Sequence, residues 1–288
     1  MRFGVFLPNF GPFGDPDALV ELAVAAERYG WEGFFLWDHI VFDENSRPMA
    51  DPWIALTAVA AATETLRIGT MLTPIARRRP WKLARETVTL DRISQGRVTL
   101  GVGLGVPAEL EFGTFGEETD DRERADKLDE GLQVLDGLWT GSHFQFEGEH
   151  MTVTGARFDA PVQNPRIPIW CGGWWPNRRP FRRAAKWDGV IPELIGGATP
   201  SPADVRDIRA YVAEHRTSEA DFDLAINGYT EPGDPAVDDY EAAGATWWLE
   251  RFDPDRLFSF DDAIKRIKAG TLHCRGEAGG TPIQKGTP

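Results

Sequence analysis

The chain has 288 residues, 42% hydrophobic and 26% charged, which is typical of a globular protein with one large or two ordinary domains. Its 31 basic and 45 acidic residues give a net charge of −14 and a pI near 4.8, which argues against nucleic acid or an anionic membrane surface as partner. Two cysteines, five scattered histidines, no signal pattern and no membrane-length apolar run predict a cytoplasmic protein without disulfides, without a metal site and without a membrane partner.

Short apolar runs alternate with amphipathic stretches along the whole chain. The runs have the length of strands and lack alternation of apolar and polar residues, as expected of strands that are covered on both faces. Eight strands are predicted, at residues 2–9, 33–39, 66–73, 97–105, 167–173, 188–194, 223–230 and 245–252.

Helices are predicted in the intervals between these strands. Three begin at prolines, Pro16, Pro52 and Pro80, because proline suits the first position of a helix. A fourth runs from about residue 120 to 139, and four more are predicted near 178–187, 202–216, 236–243 and 261–269.

Strict alternation of strands and helices predicts parallel strands joined by crossover helices. A doubly wound sheet and a closed barrel both satisfy it, and eight repeats in a chain of this length favour the barrel. The predicted fold class is therefore α/β, a (β/α)8 TIM barrel over residues 1–269 with an insertion between strands 4 and 5. Residues 106–119 are predicted to form a long loop and residues 141–166 a small hairpin. The tail, 270–288, lacks apolar periodicity and is predicted to be disordered.

Polar residues end the second predicted strand, directly after the apolar run 34–37. Active sites of (β/α)8 barrels form at the carboxyl ends of the strands, so Asp38 and His39 are candidate catalytic residues. An imidazole that titrates near neutrality suits acid–base chemistry. The alternative is that Asp38 caps the following loop and His39 packs beneath it.

Glycine recurs at two other strand ends, where it allows a ligand to approach the backbone. Gly101, Gly103 and Gly105 end the fourth strand, but they form a weak dinucleotide fingerprint because no helix is predicted directly after them. Gly172 and Gly173 end the fifth strand and precede a predicted helix, so their amides are candidates for holding a phosphate. An ordinary loop is the alternative.

Arginines and tryptophans also cluster at predicted strand ends. The run 77–79 is three arginines, and a charge run is usually a solvated surface, which is the favoured interpretation. The alternative is that one arginine closes on a cofactor or substrate. The pairs 174–175 and 247–248 are tryptophans, and one member of each pair is a candidate for the pocket.

Seven segments occur in an order that resembles one known family. They are FGVFLPN, WDH, IGTMLTP followed by RRRP, SQGRVTLGVGLG, FGTFGEETDDR, APVQNPRIPIWCGG and RRAAKWDGVIP. In this respect the chain resembles, over roughly residues 2 to 269, the bacterial luciferase-like family of flavin-dependent oxidoreductases, which have a (β/α)8 fold.

The resemblance implies a cofactor across the barrel mouth, either reduced FMN used with oxygen or the deazaflavin F420 used for hydride transfer. It implies a non-proline cis peptide between Met71 and Leu72 under the central ring, and His39 close to the reactive edge with Asp38 beside it. The cofactor-binding residues that it implies are Thr70, Met71, Leu72, Gly101, Gly103, Gly105, Gly172, Gly173 and Trp174.

The favoured hypothesis is a monooxygenase that uses reduced FMN and O2 on a small organic substrate. A partner flavin reductase would supply the reduced FMN, because the chain has no dinucleotide fingerprint. The resemblance also implies a homodimer. The alternative is an F420-dependent dehydrogenase or reductase without oxygen chemistry. Sugar-phosphate dehydrogenases of this family carry a glutamate directly after the strand-four glycines, where this chain has Val106, and Glu109 and Glu111 are out of register.

Two further alternatives remain open at this point. A metal-dependent barrel hydrolase could use Asp38 and His39, but it needs more histidines or a lysine at strand ends, and none is predicted there. A flavin-binding protein without catalytic activity has the same sequence features, and only turnover distinguishes it from an enzyme.

Overall fold

Eight parallel strands form a closed barrel in the computed structural model, which describes residues 1–43, 47–231, 236–253 and 259–271. The barrel strands are β1 (Arg2–Leu7), β2 (Gly33–Leu36), β3 (Arg67–Pro74), β4 (Val98–Gly103), β7 (Ile169–Trp175), β8 (Gly189–Leu194), β9 (Asp223–Gly228) and β10 (Trp247–Arg251). Their order around the barrel is β1-β10-β9-β8-β7-β4-β3-β2. The predicted (β/α)8 fold is confirmed, and each predicted strand corresponds to one barrel strand.

The predicted insertion is an antiparallel hairpin, β5 (His143–Glu147) and β6 (Thr152–Arg157), between the fourth and fifth barrel strands. The tail, residues 270–288, is predicted to be disordered. Residues 272–288 lie outside the described part of the chain, so this stays a prediction.

Helices alternate with the strands. Those of the described residues are α1 (Pro16–Arg28), α2 (Pro52–Ala62), α3 (Pro80–Ile93), α4 (Ala108–Glu111), α5 (Asp121–Trp139), α6 (Arg178–Ala184), α7 (Pro202–His215), α8 (Ala236–Ala243) and α9 (Phe260–Lys268). Side chains of Asp15, Asp51 and Asp120 accept backbone N–H groups at the starts of α1, α2 and α5, as helix caps do. No helix in the described ranges is long and apolar enough to span a membrane.

The segment 106–119 departs from the predicted loop. It contains α4 and a 3-10 turn at Gly113–Phe115, and Pro107 stands directly before α4. This single helical turn matters for the site, because it carries Glu111 into the protein interior, where the residue is 0% exposed.

Aromatic rings fill the amino-terminal end of the barrel interior. Phe35, Trp170 and Trp247 contact one another with ring centroids 5.6–5.8 Å apart, and each is fully buried. Trp248 packs outside the barrel against Tyr240 of α8. Neither member of the 247–248 pair therefore reaches the mouth, and the hypothesis that one of them lines the pocket is wrong.

Candidate active site

Asp38 lies at the carboxyl end of β2 and its side chain is only 2% exposed. Its carboxylate accepts hydrogen bonds from Arg78 (2.9 Å), Thr73 (2.7 Å), Arg77 (3.0 Å) and the Trp53 indole (3.3 Å). Every acceptor direction is thus met by a protein donor, as a buried carboxylate requires. The arrangement ties the loop after β2 to the loop after β3, and it leaves this carboxylate closed to a ligand.

The arginine run is not the solvated surface that the sequence favoured. The Arg77 side chain is 4% exposed and the Arg78 side chain 20%, because both form ion pairs with Asp38. Arg79 alone of the three is exposed. Two of the three charges are therefore partners of a buried carboxylate, which would be costly to leave unpaired.

His39 is packed on its sides and held at one nitrogen. Its ring lies edge-on to Phe10, Trp37 and Phe42, with centroids 5.0–6.1 Å away, and the side chain is 16% exposed. Nδ1 lies 2.9 Å from Oε1 of Glu111. Among the described residues Nε2 has no hydrogen-bond partner. An imidazole fixed at one nitrogen and open at the other is suited to moving a proton.

Glu111 is the residue of this site that the sequence did not reveal. Besides His39, its carboxylate accepts the Arg77 guanidinium and the backbone N–H groups of Ile40 (3.2 Å) and Val41 (3.2 Å). Burial opposes ionisation, but the hydrogen bond and charge of His39, the charge of Arg77 and the Ile40 amide outweigh it and lower the pKa of Glu111. The one usable signal was the proline before the short AELE stretch, which is typical of a helix start.

The glycines of β4 lie beside a bulge in the neighbouring strand β3. The pairing of β3 with β4 shifts by one residue between Thr70 and Thr73, and the Met71–Leu72 peptide is cis, as predicted. A Cβ at Gly103 would lie 2.8 Å from Leu72, and one at Gly101 would lie 2.3 Å from the Thr70 carbonyl oxygen and 2.6 Å from Met71 Sδ. These glycines therefore make room for the bulged segment 70–72 of β3.

Gly172 and Gly173 have similar intramolecular reasons to lack a side chain. A Cβ at Gly172 would collide with Leu72, and one at Gly173 would collide with Pro180 of α6. Both glycines are nevertheless partly exposed at the carboxyl end of β7. Their assignment to a cofactor phosphate, with Trp174, stays a prediction. Substitution of either glycine would disturb packing whether or not a phosphate binds there.

One member of the tryptophan pair 174–175 is exposed at the mouth and the other is buried. Trp174 is 38% exposed and pairs in register with Glu193 on β8, at the mouth. Trp175 is buried against Phe181 of α6, with centroids 5.0 Å apart. Only Trp174 of this pair is available to a ligand. Two other rings that could cover a cofactor by their place in the sequence, Phe10 and Phe112, are both buried.

On the side of the barrel opposite β3, the ends of β8, β9 and β10 carry a second polar group, which we call the polar wall: Glu193, Asn227, Arg251 and Asp253. Arg251 lies 2.9 Å from Asp253 and 3.8 Å from Glu193, and Asn227 Nδ2 is 3.4 Å from Glu193. The Arg251 guanidinium also stands 5.5 Å from the Trp37 ring centroid. Burial raises the pKa of Glu193, and Arg251, Trp174 and Asn227 offset this only in part.

The mouth suits a flat ring bounded by polar groups. Leu72 is partly exposed within a strand whose middle is otherwise buried, and Trp174 stands exposed on β7. His39 Nε2 has no hydrogen-bond partner among the described residues, and the Glu193 carboxylate is partly exposed, so both are available to a ligand. A flavin or deazaflavin fits this surface. No group of three potential metal ligands occurs in the described part of the chain.

Comparison with known proteins gives a family and several relatives. The model of the family described as luciferase-like monooxygenase matches residues 1–269. The F420-dependent glucose-6-phosphate dehydrogenase 2 of Rhodococcus jostii (strain RHA1) is 29% identical over 290 residues, which cover 88% of this chain and 84% of the relative.

Solved structures show the same fold at low identity. The coenzyme F420-dependent tetrahydromethanopterin reductase from Methanopyrus kandleri superimposes with a TM-score of 0.73 at 18% identity, over 93% of this chain and 96% of that one. The monooxygenase RslO1 from Streptomyces bottropensis gives 0.71 at 21% identity, over 93% and 97%. The fold by itself therefore hosts proteins described as F420-dependent and as monooxygenases.

Proposed function

The chain belongs to the luciferase-like monooxygenase family, and from this premise we propose that it is an F420-dependent oxidoreductase, which transfers a hydride between a small organic substrate and the deazaflavin. That it is an oxidoreductase follows from the family and its relatives. The choice of F420 is supported by relatives that are described as F420-dependent and align over most of the chain. The comparisons favour this alternative over the FMN monooxygenase that the sequence placed first.

The observation that carries the proposal is the pair of His39 and Glu111 at the barrel mouth. Oxidation of an alcohol to a carbonyl releases one hydride and one proton, so the site needs a base as well as a hydride acceptor. His39 Nε2 is open and its other nitrogen is held at 2.9 Å by a buried carboxylate. That is the arrangement expected of a positioned general base in one direction and a general acid in the other.

Each side chain of this group has a separate part in the proposed reaction. A bound deazaflavin would supply the two-electron chemistry, as acceptor of the hydride in this direction and donor in the other. His39 takes the hydroxyl proton at Nε2 while the carbinol hydrogen leaves as hydride, and a carbonyl remains. Glu111 stays ionised because its pKa is lowered, so it accepts the Nδ1 proton in a hydrogen bond and stabilises the imidazolium that forms. Asp38 does not touch substrate in this proposal. It positions Arg77, which in turn holds Glu111.

A titration with both cofactors tests the proposal. We expect oxidised F420 to bind with a Kd in the micromolar range or tighter, and FMN to bind at least about tenfold more weakly, a difference of about 1.4 kcal/mol. We expect anaerobic bleaching of F420 by an alcohol substrate, and no oxygenated product when reduced FMN and O2 are supplied instead. FMN binding with formation of an oxygenated product, and no F420 binding, would assign the chain to the monooxygenase alternative.

A further inference from the structure

Resting on the proposed function, we propose that the substrate is an uncharged alcohol or carbonyl compound with an apolar body. Glu193 and Asp253 set this preference, because they neutralise the charge of Arg251. The relatives named above include a protein described as an F420-dependent glucose-6-phosphate dehydrogenase. A phosphate ester is nevertheless a poor match for the charges on these walls.

Three guanidinium groups beside the mouth are each paired with two carboxylates: Arg77 with Asp38 and Glu111, Arg78 with Asp38 and Glu86, and Arg251 with Glu193 and Asp253. A phosphate dianion that approached Arg251 would meet two negative charges within the same contact distance. Like charges at an interface are costly, so the polar wall selects against an anion.

Glu193 differs from Asp38 in its exposure and in how closely its donors approach. The Trp174 indole donates to Glu193, and the Asn227 amide and the Arg251 guanidinium lie 3.4 Å and 3.8 Å away, whereas Asp38 has three donors at 2.7–3.0 Å. The Glu193 side chain is 30% exposed. A partly exposed carboxylate with long hydrogen bonds can accept the hydroxyl of an uncharged ligand.

Apolar side chains surround the same opening. Six large apolar residues that the described chain leaves exposed belong to the carboxyl ends of barrel strands or the loops after them: Ile40, Val106, Leu110, Phe115, Trp174 and Ile195. Their clustering at one end of the barrel favours a ligand that buries apolar surface, because ligand pockets are lined mainly by such side chains. A compact apolar ring with one hydroxyl group matches both the rim and the polar wall.

Cyclohexanol and cyclohexyl phosphate are a matched pair of probes for this preference. With saturating F420 present, so that the cofactor phosphate fills its own site, saturation-transfer NMR should detect cyclohexanol, and the phosphate ester should bind at least about tenfold more weakly. The variant Glu193→Gln/Asp253→Asn frees Arg251, so its affinity for the ester should rise at least about tenfold. Adding Arg251→Ala should remove that gain.

A control variant separates local from overall charge. Glu21→Gln/Glu214→Gln removes two carboxylates that are exposed on the outer helices α1 and α7, and it should leave the affinity for the ester unchanged. If the double wall variant does not fold, Glu193→Gln alone should still give a gain of about threefold.

Three results would overturn the inference: tighter binding of the ester than of the alcohol by wild type, no gain in the wall variants, or no binding of either probe. F420 binding is measured first in the same samples, so that failure of the substrate inference can be distinguished from failure of the proposed function. Absence of F420 binding refutes the proposed function, whereas F420 binding with a preference for the ester refutes only the substrate class.

Discussion

The two sides of the barrel mouth differ in how completely their polar groups are satisfied. On the acid–base side, defined as Asp38, His39, Arg77 and Glu111, both carboxylates are buried and bonded by several donors. On the polar wall, Glu193 accepts from the Trp174 indole, lies 3.4 Å from the Asn227 amide and 3.8 Å from Arg251, and is 30% exposed. A saturated network fixes one geometry, and an unsaturated one keeps capacity for a ligand. The comparison suggests that proton transfer belongs to the first side and substrate selection to the second.

Removal of Nε2 from His39 should have the largest effect. In His39→Asn the side-chain amide occupies the position of the His39 Nδ1 group that contacts Glu111. The buried carboxylate therefore keeps a donor, and the fold should be little changed. The rate of F420 reduction by an accepted substrate should fall about 10²–10⁴-fold, the usual contribution of a positioned acid or base. Single-turnover absorbance measures it.

Because His39 packs among three aromatic rings, the rate of F420 reduction and the melting temperature must both be measured for each His39 variant. His39→Ala removes the ring and the donor together, so it should lose both rate and some stability. If His39→Asn melts far below wild type yet reduces F420 at the wild-type rate, then the imidazole is a core residue, and the division between the two sides of the mouth is wrong.

Removal of Arg77 should destabilise the fold more than any other single substitution on either side of the mouth. Arg77→Met leaves Asp38 and Glu111 buried without the guanidinium that they share, and breaking a buried pair in this way costs about 3–5 kcal/mol. Arg79→Met is the matched control, since Arg79 is the exposed neighbour and should change the unfolding free energy by less than about 0.5 kcal/mol. Urea unfolding at pH 7 measures both, and equal costs would contradict the burial of Arg77.

The arginine run shows where the sequence was informative and where it was not. Strand lengths and the period of the apolar runs predict the barrel, because they depend on local burial alone. A charge run carries no local sign of its partners, and Asp38 is far from Arg77 along the chain. Glu111 could not be predicted for the same reason, since its contact with His39 depends on one unpredicted turn, α4. The glycines at 101 and 103 stand out in the sequence, but their immediate role is to accommodate the bulged segment 70–72 of β3.

A smaller effect, with a defined pH dependence, is expected from Glu111→Gln. The folded-state pKa of Glu111 is lowered from 4.5, so its stabilising contribution is present above pH 4.5 and is lost as the pH falls through the folded value. The variant should be less stable at pH 7 by about 1.5–3 kcal/mol, the usual loss for a hydrogen bond to a charged group. The difference should shrink below pH 4.5. Glu109→Gln, exposed two residues away, should show no such trend.

The smallest change in stability at pH 7 should be a gain rather than a loss, and it should come from a substitution in the polar wall. Burial raises the pKa of Glu193 above 4.5, so its favourable contribution is complete below pH 4.5 and is lost as the pH rises through the folded value, where a poorly solvated carboxylate must ionise. Glu193→Gln cannot ionise. It should therefore match wild type near pH 4 and become more stable than wild type at pH 7. Urea unfolding of Glu193→Gln and Glu111→Gln across the same pH series compares the two sides of the mouth directly. Destabilisation by both substitutions at pH 7 would mean that the polar wall is as fully satisfied as the acid–base side, and that Glu193 is a structural residue with no capacity left for a substrate.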